Sequence, residues 1–189
     1  GANVDSKPQH LIQFAIMGQI YASEVLNIKN PRVGLLSIGE EKEKGNKLNT
    51  ETYELIENNN MIDNFIGNVE GRDIFNGNCD VVVCDGFVGN IVLKTTEGVA
   101  SYVFDLLKEA LNKNLKSKIG ALLLKDQLKA MKAKLDYRKY GGAPLLGLQA
   151  PVIISHGSSD EQAIYSAIKV ARETILNKVV AKIEEKIEE

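Results

Sequence analysis

The chain has 189 residues, of which 44% are hydrophobic and 25% charged, and its formal net charge is −2. This composition is typical of a globular domain. A net charge near zero argues against a general nucleic-acid binder. The apolar runs are too short for a membrane span. Cys79 and Cys84 match no zinc or disulfide framework, which predicts buried, reduced thiols in a cytoplasmic protein.

The hydrophobic pattern predicts helices and strands in alternation. The first helix opens at residues 6–9, where Ser6 can cap the helix and Gln9 can complete a capping box, and it ends near Asn27. Apolar strands that alternate with long helices indicate an α/β fold with a largely parallel sheet and helices on both faces. The predicted strands cover residues 32–39, 65–69, 80–86 and 151–155, and the later helices cover 47–58, 90–111, 123–135 and 161 to the C-terminus.

A glycine-rich corner, CDGFVGNIVLKTTEG, follows the predicted strand around residue 82. Gly86 and Gly89 permit a positive φ and close approach of a ligand, Asn90 can cap the next helix, and Lys94 adds a charge one turn later. Ligands of open α/β sheets bind beyond the carboxyl ends of strands, so these residues suit a phosphate. The alternative is an ordinary strand-to-helix turn, because the pattern is neither a Walker A loop nor GxGxxG.

Two further polar clusters also follow predicted strands. His156, Ser158 and Ser159 come directly after residues 151–155 and suit contacts with an anion; alternatively, the histidine packs and the serines cap a helix. The other cluster is either a second charged binding loop or a solvated charge run, and it contains Lys42, Lys44, Gly45 and Asn46.

Residues 113–140 form a basic segment with nine basic and two acidic side chains, against the acidic trend of the chain. An apolar face is predicted by helical spacing, with a lysine stripe beside it. Such a helix is typical of an element that contacts an anionic membrane or an acidic partner, although the leucines could instead pack into a core. The apolar residues are Leu124, Leu128, Met131 and Leu135, and the lysines are Lys125, Lys129 and Lys132.

Several motifs, taken in order, resemble the phosphate acyltransferase (PlsX) family of bacterial phospholipid synthesis. They are GANVDSKPQHLIQFAIMG, GLLSIGEEKEKGN, NFIGNVEGRDI, VVVCDGFVGNIVLKTTEG, YGGAPLLGL and HGSSD. The resemblance implies a fold like that of isopropylmalate dehydrogenase and phosphate acetyltransferase, and transfer of a fatty acyl group from acyl carrier protein to inorganic phosphate. It also implies a homodimer that associates peripherally with the membrane. The family's glycine-rich N-terminal motif is missing, so residues 1–189 are expected to be a C-terminal portion, with the basic segment as a helical excursion.

The implied reaction needs few protein groups, because phosphate is itself the nucleophile. We expect no cofactor and no metal. The phosphate is assigned to Gly86, Gly89, Asn90 and Lys94. Its site could be completed by Asn3 and Lys7 of the opening motif. Candidates for contacts with the oxyanion or the phosphate are His156, Ser158 and Ser159. His156, Lys94 and Asn90 are the predicted catalytic residues.

Two other functions stay open at this level. One is a metal- and NAD-dependent decarboxylating dehydrogenase of similar fold, which needs converging carboxylates. Asp80 and Asp85 flank one strand but are expected to point to opposite faces. The other is a non-catalytic fragment that keeps the fold and the dimer contacts.

Overall fold

Three parallel strands form the central sheet. The computed structural model describes residues 3–59, 62–134, 142–157 and 159–188. The strands are β1 (Val33–Leu36), β2 (Phe65–Val69), β3 (Val81–Val83), β4 (Ala143–Pro144) and β5 (Ile153–Ile154). The helices are α1 (Pro8–Glu24), α2 (Lys47–Asn59), α3 (Asp73–Asn76), α4 (Gly86–Asn112), α5 (Leu115–Leu123), α6 (Lys125–Lys134), α7 (Glu161–Leu176) and α8 (Val179–Glu188).

The central sheet has the strand order β2-β1-β3, and both pairs are parallel. β1 lies in the middle, which explains its continuous apolar sequence: a strand buried on both faces has no reason to alternate. α1 and α2 pack against this sheet and against each other. The prediction of an α/β structure with a parallel sheet is confirmed.

The hydrophobic core lies between α1, α2 and the sheet. Its fully buried centre consists of Leu11, Ile16, Val33 and Leu35. Gly18 lets α1 approach β3 closely, because a Cβ built on this residue would lie 2.6 Å from Val81 Cγ1. Burial of these side chains supplies most of the driving force for the α1–sheet arrangement.

The predicted local features differ from the structure at the start of α1. The N-cap is Lys7, not Ser6, and Pro8 occupies the first helical position, where the missing N–H costs nothing. His10 Nδ1, not Gln9, accepts a hydrogen bond from the Lys7 N–H at 3.2 Å. The helix ends at Glu24, before Asn27 turns the chain with a φ of 58°.

The predicted fourth strand does not join the parallel sheet. β5 pairs antiparallel with β4, and the two form a separate two-stranded sheet. The apolar sequence of residues 151–155 correctly indicates a strand, but its partner is the equally short segment Ala143–Pro144. Strand order is a tertiary property, which the local pattern does not contain.

The final predicted helix is divided in two by Asn177 and Lys178, whose φ of 53° ends α7. After this turn, Val179 and Ile183 of α8 are buried against α1. Ile175, which lies before the turn, is 62% exposed.

Candidate functional site

The carboxyl edge of the central sheet contains a topological switch point. The chain leaves β1 towards β2 on one side and returns to β3 on the other side of β1. In such sheets a crevice forms between the loops that follow the two adjacent strands, and ligands bind there. The loops that follow β1 and β3 here are residues 37–46 and 84–85, and they contain two of the motifs singled out above.

The glycine corner is the first turn of α4, not a loop before it. The helix begins at Gly86, four residues earlier than predicted, and Asp85 is its N-cap; the Asp85 carboxylate accepts a hydrogen bond from the Val88 N–H at 2.9 Å. The predicted cap, Asn90, is already inside the helix. Neither Gly86 nor Gly89 has a positive φ. At Gly89 the reason for glycine is space, because a Cβ would lie 3.2 Å from Cys84 Sγ.

The opening motif lies directly against this corner. The Asn3 carbonyl accepts a hydrogen bond from the Gly86 N–H at 2.8 Å, and the Ser6 hydroxyl donates to the same carbonyl. Tertiary structure thus joins Asn3 to the first turn of α4, 83 positions along the chain. Two of the first three N–H groups of α4 are taken by Asn3 and Asp85. An anion bound here would need side-chain donors as well.

The candidate side chains of Lys7, Asn90 and Lys94 are all exposed. Lys94 lies eight residues after Gly86, which is roughly 12 Å along the helix axis and more than two turns, not one. Its Nζ donates to Glu97 at 2.8 Å. The Lys94 charge must therefore leave Glu97 and reach back along the helix to meet an anion at the N-terminus. Lys7, at the start of α1, forms no ion pair among the described residues, so it need not leave a partner to bind an anion.

The second predicted cluster follows β5 on a separate sheet. The Ser159 N–H donates to the His156 carbonyl at 3.0 Å, and the cap of α7 is Asp160, whose carboxylate accepts from the Ala163 N–H. The predicted serine cap is therefore wrong. The Ser159 Oγ is enclosed and has no hydrogen-bond partner among the described residues. Ser158 lies outside the described residues.

The loop after β1 is held rigidly by polar side chains. The Ser37 hydroxyl donates to the Lys44 carbonyl at 3.0 Å, and Asn46 caps α2 by accepting from the Asn49 N–H. Lys42 pairs with Glu57. Gly45 has a φ of 116°, which explains the glycine there. The cluster is thus largely a structured turn, with the side chain of Lys44 left exposed.

Asn68 is a residue that the sequence pattern did not single out. It is 5% exposed at the end of β2, and its Nδ2 donates to the Glu41 carbonyl at 2.8 Å. Its Oδ1 is buried and has no partner among the described residues. A buried polar atom without a partner is costly, so the gain from fixing the loop must offset it. An inward-pointing asparagine late in an apolar strand was the available signal.

The carboxylates that a dehydrogenase would require for a metal are otherwise engaged. Asp80 receives hydrogen bonds from Arg32 Nε at 2.9 Å and Nη2 at 3.0 Å. This guanidinium holds the pKa of Asp80 below its usual range. Asp85 caps α4. Asp80 and Asp85 thus serve the fold, and their arrangement does not favour the dehydrogenase.

Glu40, Glu70 and Asp73 place carboxylate oxygens within 4.8 Å of one another. Arg72 already contacts Glu70 at 2.5 Å and Glu40 at 3.6 Å. The Glu70 N–H and the Asn76 amide donate to Asp73 and keep its pKa low. Arg72 thus offsets part of the negative charge of this acidic cluster, and the remaining contacts of Asp73 fix the turn at α3.

The two thiols are free, as predicted, but only partly buried. Burial raises the pKa of both Cys79 and Cys84, and the neighbouring Asp85 raises that of Cys84 further. A thiol with a raised pKa is a poor nucleophile at neutral pH. This agrees with a reaction that uses no cysteine intermediate.

Comparison with known proteins now identifies the family. The family model described as "Fatty acid synthesis protein" matches residues 1–182. The chain belongs to this family. Within the described residues, no helix is both long enough and apolar enough to cross a membrane.

Curated relatives of the fatty acid synthesis family share high identity with the chain. A protein named phosphate acyltransferase from Halothermothrix orenii is 64% identical over 187 residues, which cover 99% of the chain and 56% of the relative. Proteins of the same name from Dictyoglomus turgidum and Bacillus licheniformis are 55% and 52% identical, over 97% and 100% of the chain and 54% and 57% of the relatives. The chain therefore spans little more than half the length of these relatives.

Proposed function

We propose that the protein transfers a fatty acyl group from acyl carrier protein to inorganic phosphate and so produces acyl phosphate for phospholipid synthesis. The observation that carries this proposal is the 64% identity, over 99% of the chain, to a phosphate acyltransferase. We further propose that residues 1–189 are the C-terminal portion of a catalytic unit with a fold like that of isopropylmalate dehydrogenase and phosphate acetyltransferase. The parallel sheet with its switch point supports that fold.

The chemistry is a direct displacement at the thioester. A phosphate oxygen forms a bond to the carbonyl carbon, the negative charge collects on the carbonyl oxygen, the C–S bond breaks, and the proton of hydrogenphosphate goes to the leaving thiolate. The protein needs to hold phosphate in line with the carbonyl and to stabilise the oxyanion. Lys7, Asn90 and Lys94 are the proposed phosphate contacts, with Lys94 reaching back along α4, and Gly86, Gly89 and Asn3 shape the backbone at the first turn of that helix.

The proposed activity is tested by adding acyl-acyl carrier protein and inorganic phosphate and measuring acyl phosphate and free carrier. The assay should be run with this chain and with a version extended at its N-terminus to the length of the relatives. Formation of acyl phosphate by either form supports the proposal. If the extended form produces none while it remains folded and binds carrier, the proposed reaction is wrong.

Lys94→Ala is expected to raise the KM for phosphate, because a cation near the α4 corner is lost. We expect about a 10- to 150-fold increase, since a charged hydrogen bond contributes roughly 1.5–3 kcal/mol. Glu97→Ala is the matched control: it removes the competing partner of Lys94 and should leave the KM unchanged or lower it. A phosphate KM that is unaltered in Lys94→Ala would show that Lys94 serves only its ion pair with Glu97.

His156→Ala is expected to lower kcat by about 10²-fold or more, in the range found for loss of an oxyanion donor. The side chain is exposed, so the melting temperature should change little. His156→Gln retains a hydrogen-bond donor and should recover part of the rate. Normal turnover combined with a melting temperature several degrees lower would assign His156 to packing.

We also propose that the helical excursion contacts an anionic membrane or the acidic carrier protein. The described helices favour a different set of residues for this contact from the set predicted from the sequence. The predicted helix at residues 123–135 is interrupted at Leu124, which ends α5, and Leu135 lies outside the described residues. Met131 is exposed, but Leu128 is partly buried. A more exposed apolar face occurs on α5, at Leu115, Ile119, Leu122 and Leu123.

A homodimer is proposed from the apolar surface that α4 and α7 leave exposed. Val99, Tyr102 and Val103 on α4 are more than half exposed. Monomeric proteins rarely expose apolar surface in such clusters. We propose that the enzyme is located in the cytoplasm and attaches peripherally to the membrane. The proposed reaction needs no cofactor.

A further inference from the structure

A cavity of about 310 Å³ lies between α1, the β4–β5 hairpin and α8, away from the α4 corner. Its volume falls at the lower end of the range typical of small-ligand pockets. None of the candidate phosphate residues lines it. The cavity therefore needs an explanation of its own.

The walls of the cavity are mainly aliphatic. Its lining includes the buried Val179 and Ile183 of α8, together with Met17 of α1 and Leu146 of the hairpin. The acidic side chains of Glu184 and Glu188 border it, and no lysine, arginine or histidine is among its lining residues. An anionic head group would meet two carboxylates and no positive charge, whereas an uncharged alkyl chain would lose no hydrogen bonds on entering.

The hairpin approaches α1 closely at one point. Gly147 has a φ of 81°, and a Cβ on it would lie 3.0 Å from Met17 Cε. Methionine is unbranched and flexible, so it can adjust its position to an apolar ligand of variable length. The hairpin itself is held by two-residue strands and by the Leu145 N–H, which donates to the Val152 carbonyl at 2.8 Å.

α1 connects this cavity to the candidate phosphate site. Lys7 caps the helix, and Gln13 and Met17, which line the cavity, follow six and ten residues later. With a rise of 1.5 Å per residue, they lie roughly 9 and 15 Å from Lys7 along the helix axis. A flexible ligand with its polar end near the start of α1 could extend into the cavity.

We propose that this cavity binds the alkyl chain of the acyl thioester. The proposal rests on the proposed acyl transfer, since that reaction supplies a ligand with an uncharged carbonyl end and a long apolar tail. The absence of a basic group from the cavity lining favours an uncharged alkyl tail inside it, because Glu184 and Glu188 would repel an anionic group placed there.

The test measures binding without catalysis. Isothermal titration calorimetry of the chain with N-acetylcysteamine thioesters, from butanoyl to decanoyl, should show affinity rising about three- to fourfold for each added methylene. Val180→Phe places a larger side chain at the cavity wall and should abolish most of this gain. Ile66→Phe is the matched control at an exposed position of β2, outside the cavity lining, and should bind as the wild type does.

Glu184→Lys provides a second variant at an exposed position, where loss of folding is not expected. It should bind the decanoyl thioester with little change in affinity, because the alkyl chain that lies beside this position carries no charge. Affinity independent of chain length, or an unchanged gain in Val180→Phe with a normal circular dichroism spectrum, would overturn the proposal. Thioester binding without acyl phosphate formation would instead contradict the proposed reaction and leave the alkyl site in place.

Discussion

Leu35→Ala is expected to lower the free energy of unfolding by about 2–5 kcal/mol, the range found when a buried leucine is truncated. Leu35 is 0% exposed in β1, between Asn68 of β2 and Val83 of β3. Neighbouring strands restrain it on both sides, so the cavity left behind cannot collapse easily. The measurement is urea unfolding followed by circular dichroism.

Ile38→Ala is the matched control for this change. Ile38 lies three residues later and is 79% exposed, so its truncation should alter stability by no more than about 0.5 kcal/mol. Similar losses in the two variants would contradict the assignment of β1 as the central strand. A loss of stability in Leu35→Ala alone would support the position of the core around β1.

Leu122→Glu combined with Leu123→Glu is expected to reduce partition onto anionic vesicles by about 100-fold or more. Leu122 and Leu123 are 70% and 77% exposed on α5, and burial of one leucine in an apolar phase is favourable by about 1.5–3 kcal/mol. The lysines of the segment add roughly 1 kcal/mol each near an anionic surface, and they are kept. Vesicle co-sedimentation at constant salt measures the effect.

Leu124→Glu with Leu128→Glu, on the apolar face predicted from the sequence, should have a smaller effect on vesicle binding because Leu128 is partly buried. Leu26→Glu with Phe75→Glu is the control for adding two charges at exposed apolar positions outside the basic segment and outside the proposed dimer surface. Carrier binding depends mainly on the lysines and should survive all three double changes. Retention of the α5 variant on vesicles, with a normal fold, would show that α5 is not the membrane contact.

Local sequence determined the elements whose signals lie within a few residues. α2 begins at Lys47 and β2 covers Phe65–Val69, both as predicted, because each combines a clear period with turn residues at its ends. The start of α4 was missed by four residues. Its glycines suggested a loop, whereas the decisive cap, Asp85, is set by a single side-chain hydrogen bond to Val88. The motifs also indicated the family, because their residues and their order along the chain can be recognised without the tertiary structure.

Only the tertiary structure decided which residues meet. It placed the Asn3 carbonyl on the Gly86 N–H, joined β5 to β4 instead of to the parallel sheet, and buried Asn68 beneath the loop after β1. Such pairings depend on contacts between distant segments, which periodicity does not record. The apolar cavity has the same origin. Met17, Leu146 and Val179 come from three separate elements, and only their packing encloses a space that an alkyl chain could fill.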